Sequence, residues 1–226
     1  VLELLRREAD VGVAVAVVTE RRDGSVHPIA VDAATLRRRQ LALTGRAWLM
    51  VDQMHGTAVF RSGDATTNWP VAGTADVAVA STVPVAVWAA DCAEIVLFDG
   101  DGGVVGCHAG WRGLAAGVVD VAVHETRGPI AAVLGPCIHP CCYEFGVREL
   151  QRVADGVQVA PESIAGTTSQ GAPALDVPAA VAAALARHGI ELDVIGPCTG
   201  CDERWFSHRR GDAGRHAVVA WYEAVS

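Results

Sequence analysis

The 226-residue sequence predicts an α+β fold, with mixed β-sheets flanked by helices in a single domain spanning 1–226. Three observations predict it. Valine-rich runs greatly outnumber helical stretches and do not alternate strictly with them, which argues against a doubly wound sheet. Those runs are apolar almost throughout, as strands covered on both faces are. The chain is 51% hydrophobic and has no low-complexity tract or polar linker, so it can bury one core without a disulfide framework.

The expected strands, each β-branched and bounded by turn residues, are "VAVAVVT" (13–19), "AWLMVDQ" (47–53), "ADVAVAS" (75–81), "VPVAVWAAD" (83–91) and "EIVLFD" (94–99). "GVVGCH" (103–108), "IAAVLG" (130–135), "LDVIG" (192–196) and "HAVVAWYE" (216–223) complete the set. Helices are expected at 33–43, 113–125, 147–155 and 177–189. In the last of these, Asp176 is the N-cap, Pro178 lies in the first turn and Gly189 is the stop.

A net charge of −8 and a pI of about 5.4 argue against a phosphate-backbone binder, so nucleic acid is not an expected partner. A local cluster such as "SHRRGDAGRH" (207–216), with Arg209 and Arg210, can still form a small anion pocket. Seven cysteines, several inside apolar runs, fit a reducing compartment. The apolar stretch "VGVAVAVV" (11–18) is too short to span a bilayer and lacks a cleavage-site context. The expectation is a soluble cytoplasmic protein.

Three apolar runs end in a residue able to bind metal: "VDQMHG" at His55, "AADCAE" at Cys92 and "GCHAGWRG" at His108. Imidazole and thiolate suit zinc, and three protein ligands with one open position define a catalytic site. The alternative is a small buried thiol and two satisfied imidazoles, since gaps of 37 and 16 residues match no compact zinc signature. "AGWRG" joins a strand to a helix, so its glycines and the helix N-terminus can approach an anion while Arg112 supplies a forked cation. Otherwise Arg112 is a surface residue and Trp111 a core plug. Asp91 precedes Cys92, and strand neighbours point to opposite faces, so both serve one site only if the strand ends there. Asp91 then carries protons; failing that, it accepts hydrogen bonds from a loop. A second group, Cys137, His139, Cys141 and Cys142 with Cys198 and Cys201, pairs a C-x3-C with a C-x2-C spacing. It reads either as a structural zinc site or as packing around Pro-rich turns.

The motifs "DQMHG", "ADC", "HAGWRG", "LGPCIHPCCYEFG", "CT" and "FSHRRGDAGRHAVVAW", in that order over roughly residues 50–223, resemble the laccase-domain (YfiH-like) family. That family includes bacterial purine nucleoside phosphorylases and the human enzyme FAMIN. The resemblance implies zinc on His55, Cys92 and His108, Asp91 in proton transfer, and Arg112 near phosphate. It implies phosphorolysis of adenosine, inosine, guanosine and methylthioadenosine, and deamination of adenosine, with nucleoside and phosphate as the small-molecule partners. The family's N-terminal "TTRxGGxS" has a weak echo in "TERRDGS" (19–25), where Arg21 is the equivalent arginine, and its "NLGxHVGD" segment is absent.

Three other readings compete. A cysteine hydrolase would use Cys92 and His108 as a thiolate–imidazolium pair, as in members proposed to edit peptidoglycan precursors. A copper polyphenol oxidase is disfavoured, because eight histidines without a His-x-His pair do not build a multicopper centre. A non-enzymatic binding protein would keep the fold and lose the reaction.

Overall fold

The computed structural model describes residues 1–64 and 71–224. The chain opens with an antiparallel hairpin, β1 (Leu2–Ala9) and β2 (Gly12–Val18), followed by α1 (Ala33–Thr44). Next come β3 (Val59–Arg61), β4 (Val77–Ala80), β5 (Val85–Ala89), β6 (Ala93–Asp99) and β7 (Val104–Ala109). Two short helices, α2 (Trp111–Ala115) and α3 (Val118–His124), lead into β8 (Pro129–Leu134) and α4 (Val147–Val157). The hairpin β9 (Ala165–Thr167) and β10 (Pro173–Leu175), then α5 (Val177–Ala186), β11 (Val194–Ile195) and β12 (His216–Glu223), complete the order.

Two main sheets stack. The four-stranded sheet runs β1-β2-β12-β5, and the six-stranded sheet runs β11-β8-β6-β7-β4-β3. The latter is mixed, with parallel β11/β8 and β3/β4 pairs beside antiparallel neighbours. The period-2 alternation of each strand assigns the layers. In β6, Val96 and Phe98 face the four-stranded sheet, while Ile95 and Leu97 face α2 to α5. In β2, Ala14, Ala16 and Val18 turn inward between the sheets, whereas Val15 and Val17 pack with Leu36 of α1 and with Trp48 and Trp88. The order helix–sheet–sheet–helix explains the continuous apolar runs, because both faces of each sheet are covered. No helix among the described residues is long and apolar enough to cross a membrane.

Asp32 caps α1 by accepting from the Thr35 N–H (2.9 Å), and Asp176 caps α5 by accepting from the Ala179 N–H (3.0 Å). Three expectations are corrected. Residues 47–53 are extended but form only isolated bridges: Leu49 pairs with Val85 and Asp52 with Thr74, so the segment changes partners before a ladder can build. The helix expected over 113–125 is two pieces, split at Gly117, which takes the left-handed conformation (φ 79°). The strand β1, LELLRREA, was not among the expected strands, because its charged edge positions hide the pattern.

Candidate active site

A cavity of about 590 Å³ opens where β5 and β7 end and β6 begins. His55, Cys92 and His108 meet on its wall, with their ligand atoms all within 4.8 Å of one another. Cys92 Sγ lies 3.8 Å from His55 Nε2, and the two imidazoles are edge-to-face with centroids 4.8 Å apart. Donors bound tetrahedrally at about 2.0–2.3 Å from one ion stand roughly 3.3–3.8 Å from each other, so the set fits a single zinc-sized ion. Gly110 makes the convergence possible: a Cβ there would lie 2.6 Å from His55 Cδ2 and 3.2 Å from Cys92 Sγ.

Asp76 organises two of the three donors. Its buried carboxylate accepts from the backbone N–H groups of His55 (2.9 Å), Gly56 (2.7 Å) and Met54 (3.3 Å), and so holds His55 at its left-handed φ of 60°. The same carboxylate is 2.9 Å from His108 Nδ1, which leaves His108 Nε2 for the cavity. A metal-ligating histidine is commonly fixed this way, with its far nitrogen on a carboxylate. Burial opposes the Asp76 charge, but His108 and the Gly56 and His55 N–H groups hold its carboxyl below the usual range. Sequence reasoning missed Asp76. Its only signal was a carboxylate at the entry of the apolar "ADVAVAS" run.

Electrostatics at the donors are strongly coupled. Burial would raise the Cys92 thiol, yet His108 and His55 bring it down to about 6. Burial would lower His108, yet Cys92 and Asp76 raise it to about 9. The two groups therefore favour each other's charged form, thiolate at Cys92 and imidazolium at His108.

Asp91 and Cys92 both line the cavity, because β5 ends at Ala89 and strand alternation stops there. Asp91 adopts a positive φ of 91°, a costly conformation for a residue with a Cβ. Its carboxylate accepts from Thr199 Oγ1 (2.6 Å) and from the Arg209 N–H (2.7 Å).

The arginines separate into two pairs. Arg112 and Arg209 line the cavity, stacked over Trp111 (4.6 Å) and near Tyr143 (5.4 Å) respectively. Neither has a carboxylate within ion-pair distance among the described residues. Arg21 and Arg210 do not line it; both donate to Asp212 and to the Trp205 carbonyl, and Arg210 also donates to the Thr199 carbonyl. They brace the 203–212 loop that carries His208 and Arg209. The cavity also receives His208 and Arg215, both within the stretch 207–216 expected to form an anion pocket, and His27, which sequence reasoning had not singled out and whose ring lies 4.8 Å from that of Trp88. The expected helix N-terminus beside Arg112 is only the five-residue α2, too short to act as a dipole site.

Away from the cavity donors, the second cysteine group is Cys141, Cys142, Cys198 and Cys201, with Cys142 in the place expected for Cys137. Cys137 is buried in the helix-side core, and burial pushes its thiol well up.

A family model described as multi-copper polyphenol oxidoreductase laccase matches residues 23–223. A purine nucleoside phosphorylase of Mycobacterium tuberculosis is 32% identical over 207 residues, covering 87% of this chain and 81% of that protein. Purine nucleoside phosphorylase YlmD of Geobacillus stearothermophilus is 33% identical over 216 residues, covering 81% and 76%. Among solved structures, a Neisseria meningitidis protein aligns with a TM-score of 0.79 at 26% identity, covering 98% of this chain and 99% of its own. YlmD aligns with a TM-score of 0.74 at 25% identity, with the same coverage. The chain belongs to the multi-copper polyphenol oxidoreductase laccase family, the laccase-domain group its motifs resemble.

Proposed function

We propose that the protein is a zinc-dependent purine nucleoside phosphorylase of the cytoplasm, which also cleaves methylthioadenosine and deaminates adenosine. The observation that carries the reading is the three-donor set, two of whose members Asp76 holds, at the wall of a cavity lined by Arg112, Arg209 and Arg215, none of which has a carboxylate within ion-pair distance among the described residues. The names of its relatives as purine nucleoside phosphorylases support it.

His55, Cys92 and His108 would hold the ion, which when bound supplies Lewis acidity and an open coordination position. Arg112 and Arg209 bind and orient phosphate, each pre-oriented by its aromatic neighbour. Trp88 and His27 supply a ring surface on which a purine can stack. Asp91 keeps free lone pairs beside its two hydrogen bonds and accepts a proton from the water that adds at purine C6 in deamination. Arg21 and Arg210 act at one remove, by positioning the loop of Arg209.

The test is to incubate zinc-replete protein with adenosine and phosphate and to follow adenine, ribose 1-phosphate and inosine. The reading expects all three, and formation of none overturns it. A second reading, a cysteine hydrolase, is favoured by one observation: the Cys92 sulfur and a His108 ring nitrogen lie within 4.8 Å of each other, a proximity that favours the thiolate. Turnover by metal-free protein that alkylation of Cys92 abolishes would select it. The copper oxidase reading lacks such support, since only His55 and His108 of the described histidines share a donor cluster.

A further inference from the structure

Four thiols converge where two remote segments of the chain touch. Cys141 and Cys142 sit in the turn Pro140–Cys142, and Cys198 and Cys201 in the loop after β11. The Sγ–Sγ distances are 3.6 Å for Cys141–Cys198, 3.5 Å for Cys141–Cys201 and 3.4 Å for Cys142–Cys201, and all four sulfurs lie within 4.8 Å of one another. A disulfide would bring a pair to about 2.05 Å, and all four cysteines are free. Sulfurs at about 2.3 Å from one tetrahedral zinc ion are roughly 3.8 Å apart. Those three separations fall just short of that value and none of the six exceeds it by more than about an ångström, so small side-chain shifts bring the set to a tetrahedron.

Two independent features show that the arrangement is built. A Cβ on Gly200 would lie 2.7 Å from Cys142 Cβ and 2.8 Å from its Sγ, so glycine between Cys198 and Cys201 lets the segments close. Cys198 Sγ accepts the backbone N–H of His139 at 3.4 Å, and the N–H groups of Cys201 and Gly200 also point to it. Such N–H groups stabilise a thiolate, the form in which sulfur binds a metal. Cys201 is exposed, which leaves a path for an ion to enter.

We propose that Cys141, Cys142, Cys198 and Cys201 form a second, closed metal site that binds zinc as a tetrathiolate. With four protein ligands it has no open position, and its role is to join two segments that both reach the cavity. Tyr143 follows Cys142 and lines the cavity, while Thr199 lies between Cys198 and Cys201 and donates to Asp91.

Metal content and X-ray absorption of protein purified under reducing conditions test this. The wild type is expected to carry two zinc ions per chain, and Cys201→Ser about one. His108→Ala, which disables the cavity site, should also retain about one, and its absorption spectrum should show four sulfur neighbours at about 2.3 Å. Because His108→Ala leaves the thiols untouched, the test stands even if Cys201→Ser does not fold. Zinc-free His108→Ala protein, a nitrogen-containing shell in that variant, or disulfides among the four cysteines in anaerobically purified wild type would each overturn the proposal. Loss of zinc from His108→Ala together with retention in Cys201→Ser would refute it while leaving the cavity site intact.

Discussion

The two donor clusters differ in what surrounds them, and that difference separates chemistry from architecture. His55, Cys92 and His108 present three donors to a cavity, backed by the buried Asp76 carboxylate and flanked by Arg112 and Asp91. Cys141, Cys142, Cys198 and Cys201 present four sulfurs to each other, backed by peptide N–H groups. Three donors leave a position where a reactant can bind, whereas four close the shell. The first cluster draws His108 from the end of β7, Cys92 from the turn between β5 and β6, and His55 from the loop that Asp76 holds, all at the rim of the sheets. The second lies in two turns just past the β8/β11 pair, tied by the single parallel bridge from Cys137 to Cys198.

The largest effect expected is at Cys92. Cys92→Ala removes the only sulfur of the cavity set, so it should lower phosphorolysis by at least about 10³-fold, more than the loss of an outer partner causes. Zinc content should fall by one ion per chain while the four-thiol site stays filled. Activity within tenfold of wild type would remove Cys92 from the chemistry. Alkylation of the same thiol gives its pH dependence. In chelator-treated protein the rate should climb as pH rises through about 6, because the thiolate is the reactive form, and level off near neutrality. Restoring zinc should protect the thiol. An ordinary thiol would keep gaining reactivity past pH 8.

Asp76→Asn comes next. It keeps the shape but weakens the anchor of His108 Nδ1 and of the His55 loop, and should cost 10–100-fold in zinc affinity at the cavity, as outer partners of metal ligands do. Zinc affinity at the four-thiol site should not change. A parallel drop at both would mean that Asp76 supports the fold and not one cluster.

How far the sequence foretold this site differs from residue to residue. His55, Cys92 and His108 were legible because each stops an apolar run, and a strand end is where a side chain leaves the core. Asp76 was not: it sits at the entry to β4 like any polar residue ending a loop, and its partners are about 20 and 32 positions away. Arg21 and Arg210 looked like the lining arginines, but no local pattern foretells that Asp212 lies between them. At the fold level, the central strands were read from their two-sided burial, while β1 escaped because its exposed charges break the apolar run. The break at Gly117 escaped because the mostly apolar residues on either side, LAA before it and VVDVAV after it, run on without a turn signal other than the glycine itself.

A smaller effect is expected at the arginines, where the lining pair and the bracing pair should respond differently. Arg112→Ala removes a charge-assisted contact of about 1.5–3 kcal/mol and should raise the KM for phosphate by roughly 10–100-fold without lowering Tm. Arg210→Ala should do the reverse: lower Tm, with a smaller change in KM. Equal KM effects would mean that the loop's position, and not direct contact, sets phosphate binding.

The smallest effect is at Asp212, which the bracing pair grips and which also accepts from the Ser207 N–H at 2.8 Å. The Arg21 hydrogen bonds, opposed by burial and helped by Ser207, hold its carboxyl at about 2. An unfolded chain would titrate it at about 3.9. A carboxyl depressed on folding stabilises the protein above its unfolded value and loses that contribution as pH falls through its folded one. Asp212→Asn should therefore cost about 1 kcal/mol at neutral pH, as a partly exposed ion pair does. The gap in Tm between wild type and variant should hold down to about pH 4 and narrow toward pH 2. A gap that stays constant would show that shape, not charge, joins Arg21 and Arg210 to this loop.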